Sequence, residues 1–104
     1  MIMSTADSVP GREIAETMGL ATGSTVRARH VGRDVLAGLK QIVGGEIGAY
    51  EKLLQESRTQ ALARLEEAAA AMGADAVVAL RLTTSAIAQG SAEVLAYGTA
   101  VKLQ

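Results

Sequence analysis

The sequence predicts an α+β fold in which an antiparallel β-sheet is covered on one side by a short and a long helix. Three observations carry that prediction. A segment from about Glu46 to Met72 keeps apolar residues at helical spacing and runs into Gly73. Two strand-like runs follow, Asp75 to Ile87 and Ala92 to Leu103, joined by a turn around Gln89-Gly90-Ser91. A shorter helical pattern, Asp34 to Val43, precedes them.

In chain order, Ile2 and Met3 read as the start of a strand, and Met1 to Asp7 has neither the basic region nor the apolar run of a signal peptide. Pro10-Gly11 is a turn: proline presets φ and glycine accepts the positive φ that follows. Arg12 to His30 is rich in Thr and small residues, with Gly19 and Gly23 placed for bends or bulges, and reads as one bent strand or two short ones. Near its end Arg27 and Arg29 point one way and Val26, Ala28 and His30 the other. The short helix places Val35, Leu36, Leu39, Ile42 and Val43 on helical spacing behind an Asp34 N-cap, and Gly44-Gly45 ends it. In the long helix, a turn of about 100° per residue gathers Ile47, Tyr50, Leu54, Ala61, Leu65, Ala68 and Met72 into a stripe, with Leu53 and Leu62 on its flanks. Such a helix is roughly 40 Å long. A domain of this size is about 33 Å across, so the helix should kink, overhang or lie against a neighbouring subunit.

The chain, 104 residues with a formal charge of −1, is expected to be one domain spanning 1–104. It has no Phe or Trp and two tyrosines, Tyr50 and Tyr97, so aliphatic residues and alanine must fill its core. Neither a broad basic field nor interleaved aromatics are present, which argues against nucleic acid as a partner. The lack of cysteine excludes disulfides, thiolate metal sites and thiol catalysis. No run approaches the ~20 apolar residues of a membrane span, and a soluble cytoplasmic protein is expected.

Alternation along the hairpin puts Val78, Leu80, Leu82, Leu95, Tyr97 and Val101 on one face and Val77, Ala79, Arg81, Ala96, Gly98 and Ala100 on the other. Both faces are apolar or small, whereas a sheet covered on one side should show a polar second face. Another copy of the chain is the simplest cover for the second face, and the small-residue face is the expected interface.

Four segments, Val43 to Tyr50 (V-G-G-E-I-G-A-Y), Arg58 to Leu65, Gly73 to Val78 (G-A-D-A-V-V) and Ala96 to Val101 (A-Y-G-T-A-V), together resemble the YbjQ-like family of bacterial and archaeal proteins, which carries a heavy-metal-binding label. The resemblance runs from Ile2 to Leu103. It implies helices packed on an antiparallel sheet and a ring-shaped homo-oligomer, a pentamer or a multiple of one. The absence of cysteine departs from a soft-metal reading.

His30, the one histidine, would serve as a metal ligand only if ring symmetry brought several copies together; otherwise it is a strand-end residue beside Val26 and Ala28. Arg58 projects about 40° from the centre of the apolar stripe. It is either an anion clamp or a structural ion pair, with Asp75, Glu93 or another subunit's acid as partner. Arg81 poses the same choice among small neighbours. Glu46, behind Gly44-Gly45, sits where helix N–H groups could hold an anion, although its own carboxylate competes for them. Arg27, Arg29, His30 and Arg33 form the one basic concentration and read as a solvated edge strand. Met1, Met3, Met18 and Met72 are scattered, as core filler would be.

No catalytic constellation has diagnostic spacing. The leading expectation is a non-enzymatic homo-oligomer that binds a metal ion or small anion at symmetric or inter-subunit sites. A structural scaffold that docks another protein is the first alternative. The second is an enzyme with an inter-subunit site from Arg58, Arg81, Glu46 and Tyr50.

Overall fold

Gly73 shows how locally the chain specifies its turns. The long helix α1 (Gly45–Ala71) ends where Gly73 adopts φ of +85°, with Gly73 N–H donating to Ala70 O and Ala74 N–H to Ala69 O. Those two bonds are the Schellman pattern, which closes the orphan carbonyls of the last turn. Pro10-Gly11 behaves likewise: Gly11 has φ of +79°, as position i+2 of a type II turn needs, and Arg12 N–H donates to Val9 O.

The computed structural model describes the backbone of residues 1–28, 45–88 and 91–104, and the side chains of 1–26, 51–86 and 92–104. The expected 34–43 helix, His30 and the Gln89-Gly90 part of the hairpin turn lie outside the described residues. Besides α1, the elements are β1 (Ile2–Met3), β2 (Ile14–Ala28), β3 (Ala76–Ala88) and β4 (Ser91–Leu103). They form one four-stranded sheet in the order β1-β3-β4-β2. Both β3–β4 and β4–β2 are antiparallel, whereas β1 runs parallel to β3, pairing Ile2 with Ala76 and Met3 with Val77. The sheet is therefore mixed rather than wholly antiparallel. A two-residue strand carries too little pattern to declare its direction, and here the 4–13 connection decides it by carrying Val9 under the sheet.

β2 is a single strand with register shifts between Ile14 and Glu16 and between Thr17 and Gly19. Gly19, at φ of +121°, accommodates the second shift. Gly23 is not a bend. A Cβ there would lie 2.2 Å from Leu65 N and 2.4 Å from Ala61 O, so the glycine lets the helix backbone rest directly on β2.

The buried row of α1 is Ser57, Ala61, Leu65 and Ala69, with Leu53, Leu62 and Ala68 half-buried. This differs from the expected stripe, since Leu54 and Met72 are exposed. A projection weighted by hydrophobicity overlooks Ser57, whose hydroxyl donates to Leu53 O at 2.8 Å and so travels inside with its polarity satisfied. Close approach selects the small residues, and the larger Leu54 is displaced to the flank.

The hairpin faces also differ from the alternation expected of them. One residue of β4, Gly98, faces two of β3, Ala79 and Leu80, between the Val78–Thr99 and Arg81–Tyr97 pairs, because Ala79 adopts φ of +52° and bulges. Beyond the bulge β3 changes face. Val77 and Leu80 join Ala96 and Ala100 under α1, and Leu82 pairs with Ala96. Arg81 pairs with Tyr97 on the opposite face, with Val78 and Val101. The small-residue face, expected to meet another copy, is thus covered by the chain's own helix. This core joins Leu65, Val77, Ala96 and Ala100, all fully buried. On the other face a smaller core of Val9, Ala76, Val78 and Val101 covers only the end of the sheet near β1. The helix lies mainly over β2 and β4, and the molecule measures 55 × 23 × 16 Å. Its radius of gyration of 17.0 Å exceeds the ~13 Å expected for this length, so the long elements overhang.

Candidate functional site

Among the described residues, the far part of the face opposite α1 is the surface that concentrates chemistry without cover. Cross-strand pairing sets Arg81, Tyr97 and Thr22 in one row and Thr83, Leu95 and Ser24 in the next. Leu20, opposite Thr99, is 69% exposed, Val26, opposite Glu93, is 55% exposed, and Tyr97 is 36% exposed. The result is an apolar strip with a guanidinium at one end and the Glu93 carboxylate towards the other.

The Ala79 bulge positions Arg81. Ala79 N–H donates to Ala6 O and Leu80 N–H to Ser4 O, fixing residues 4–6 against β3. Arg81 Nη1 donates to both Thr5 O and Leu80 O at 2.8 Å. Carbonyls orient the guanidinium but do not neutralise it, so its positive charge stays available on the open face.

Arg58 is exposed on α1, and the sheet lies between it and Arg81. These two expected anion-site residues therefore do not converge within one copy. Asp75, an expected carboxylate partner of Arg58, instead accepts the Leu103 amide through Oδ2 at 2.9 Å. Glu46 and Tyr50 belong to the first turns of α1, but their side chains, like all of His30, lie outside the described residues.

Besides Ser57, sequence reasoning missed two polar residues. Arg64 reaches across from α1 to donate to Ser24 O, pinning helix to strand. Its signal was available in hindsight: it lies one residue before buried Leu65, next to the glycine that admits the helix. Thr25 is 2% exposed, and its hydroxyl has no hydrogen-bond partner among the described residues. A lone threonine in a Thr-rich strand gives no warning of that.

Among the described residues the donor set does not suit a soft heavy metal. The chain has no thiolate. Among the described residues no three His, Cys, Asp or Glu side chains gather where they could hold an ion. Nor is any described helix long and apolar enough to cross a membrane.

A bulged four-stranded mixed sheet with one long helix across it defines the class: an α+β protein whose second sheet face is half open among the described residues. Comparison narrows this further. The chain belongs to the YbjQ_1 family, described as "Putative heavy-metal-binding", whose model matches residues 1–104. It is 57% identical over 103 residues to a UPF0145 protein of Vibrio campbellii, covering 99% of both chains. A UPF0145 protein of the archaeon Archaeoglobus fulgidus is 55% identical over 104 residues, covering 100% of this chain and 96% of its own. Among solved structures, a protein of unknown function from Pediococcus pentosaceus, assigned to the DUF74 family, matches with a TM-score of 0.67 at 16% identity. That match covers 100% of this chain and 98% of the other. At that identity the likeness concerns the fold alone.

Proposed function

We propose that the protein is a single-domain, non-enzymatic, cytoplasmic subunit of a ring-shaped homo-oligomer of five copies or a multiple of five, which binds a small anion or metal ion where copies meet. The observation that carries this reading is the half-open sheet face, where Leu20 and Val26 are 69% and 55% exposed although they lie in a regular strand. Apolar groups in such a row gain from burial, and α1, the one helix among the described residues, is already committed to the other face.

Within one copy the described donors do not assemble a metal site. The ligand chemistry that best suits the available groups is therefore anionic. Arg81 supplies an oriented guanidinium, without a carboxylate partner among the described residues, on the face argued to meet another copy. Repetition around a ring would bring several such groups to equivalent positions.

Native mass spectrometry of the untreated protein tests this. A discrete ring carrying a constant extra mass, reduced by Arg81→Ala, is the expected result. A ring with no added mass would replace ligand binding with a scaffold role. A monomer would overturn the proposal.

A further inference from the structure

We propose that the anion taken up on the open sheet face is an aromatic carboxylate, its carboxylate held by one edge of the Arg81 guanidinium and its ring laid on Tyr97. This rests on the small-anion reading above and names the class of ligand that the same face selects.

A guanidinium carries five N–H donors in a fixed plane. In Arg81, Nη1 donates to both Thr5 O and Leu80 O, which occupies its two N–H groups. Nε–H and the two N–H groups of Nη2 have no acceptor among the described residues. Nε–H and one Nη2–H point the same way, and that pair meets the two oxygens of a carboxylate side by side. The two carbonyls hold the fork in place, so little side-chain freedom is lost when an anion arrives. Thr5 belongs to the segment bonded along β3 on the side away from β4. The tether therefore draws the guanidinium away from Tyr97 and leaves that ring open.

Among the described residues no carboxylate lies within ion-pair distance of Arg81. Glu93 pairs with Ser85 and Val26, four residues along β4 from Tyr97, and so about 13 Å away at strand spacing.

The neighbours of the fork decide the rest of the ligand. Tyr97 is directly paired with Arg81, which puts their Cβ atoms about 5 Å apart. Its exposed ring offers a face on which a second ring stacks with an offset. Leu20 and Leu95 stand one row to either side, and Thr22 lies beyond Tyr97 on β2. Two interstrand steps, about 9.5 Å, separate the Arg81 and Thr22 backbone positions, which leaves room for a single ring. A small carboxylate alone would form an exposed ion pair of little worth. A purely apolar ligand would leave the cation unpaired. Phosphate also matches a guanidinium fork, but its remaining oxygens call for further cations, and the positions paired around Arg81 and Tyr97 hold none.

The test is an NMR titration of the full-length protein with benzoate, acetate and phenyl phosphate. Benzoate should bind at least about tenfold more tightly than acetate, because its ring is buried and stacked. Arg81→Lys keeps the charge without the fork and should weaken benzoate at least about fivefold. Tyr97→Ala should do the same, whereas Tyr97→Phe should leave binding unchanged. Since Arg81 also ties down Thr5, the amide shifts of the parent protein supply a check that needs no variant. Benzoate should move Thr22, Thr83 and Tyr97 and leave Thr59 and Ala63 on the outer face of α1 where they are. Acetate binding as tightly as benzoate, benzoate indifferent to Tyr97→Ala, or shifts confined to other surfaces each overturn the proposal. Phenyl phosphate bound through Arg81 in preference to benzoate overturns the carboxylate and leaves the small-anion reading standing. If none of the three anions binds, both fall.

Discussion

The two faces of the sheet invert the usual relation between side-chain size and burial. Under α1 lie Ala21, Gly23, Ala96, Gly98 and Ala100, all buried, while the larger Leu20, Val26 and Tyr97 stand exposed on the opposite face. Backbone proximity explains the first set. The helix rests so close to β2 that even one methyl at Gly23 would collide with Leu65 N and Ala61 O. Small residues here mark an intramolecular contact at short range, not a surface reserved for another copy. The large residues are the ones left without cover within the described chain.

Gly23→Ala should break this arrangement most severely. Its new Cβ meets backbone atoms at 2.2 and 2.4 Å, which no rotamer change relieves. The helix must lift, at a cost of about 4 kcal/mol, above the usual range for overpacking. Thermal unfolding would register it as a fall in Tm. A loss below about 1 kcal/mol would mean that the helix sits less closely on β2 than described.

Leu65→Ala probes the same face by removal. Leu65 is fully buried at the centre of the helix-side core, and its truncation should cost about 3 kcal/mol through lost burial and the cavity left behind. Denaturant unfolding with an unchanged m value would show that the native and unfolded states are otherwise intact. Asp75→Ala is a smaller perturbation. It strips the acceptor from the Leu103 amide at the margin of the second core and should cost about 1 kcal/mol. Asp75→Asn, which keeps a side-chain oxygen, should recover part of that loss.

The elements legible in the sequence were those with local causes. Gly73 closes α1, Pro10-Gly11 makes its turn, Gly19 marks a bulge, and the two C-terminal strands pair as expected. What escaped depends on distant parts of the chain. Strict alternation cannot show that Ala79 takes φ of +52°, because alanine carries no turn signal, yet that residue turns Leu80 and Leu82 to the helix side and Arg81 away from it. Likewise Ser57 enters the helix–sheet interface because a small side chain is needed there, although its polarity argued against it. At the site, Arg81 was legible as an unusual cation. Its carbonyl cap and its separation from Arg58 follow from the bulge and the sheet, and neither is a property of sequence spacing.

Leu20→Thr gives the smallest effect on the subunit and the sharpest contrast between faces. Leu20 is 69% exposed in a regular strand, and threonine retains strand preference while removing apolar area. Stability of the dissociated subunit should change by no more than about 0.5 kcal/mol, as for other exposed positions. Assembly, if the open face is buried between copies, should weaken because the same leucine would lose its cover there. Chemical denaturation at low concentration and sedimentation velocity at high concentration separate the two quantities. A loss of about 2 kcal/mol in the isolated subunit would mean that Leu20 is packed within its own chain, and the open apolar face would then narrow to Val26 and Tyr97.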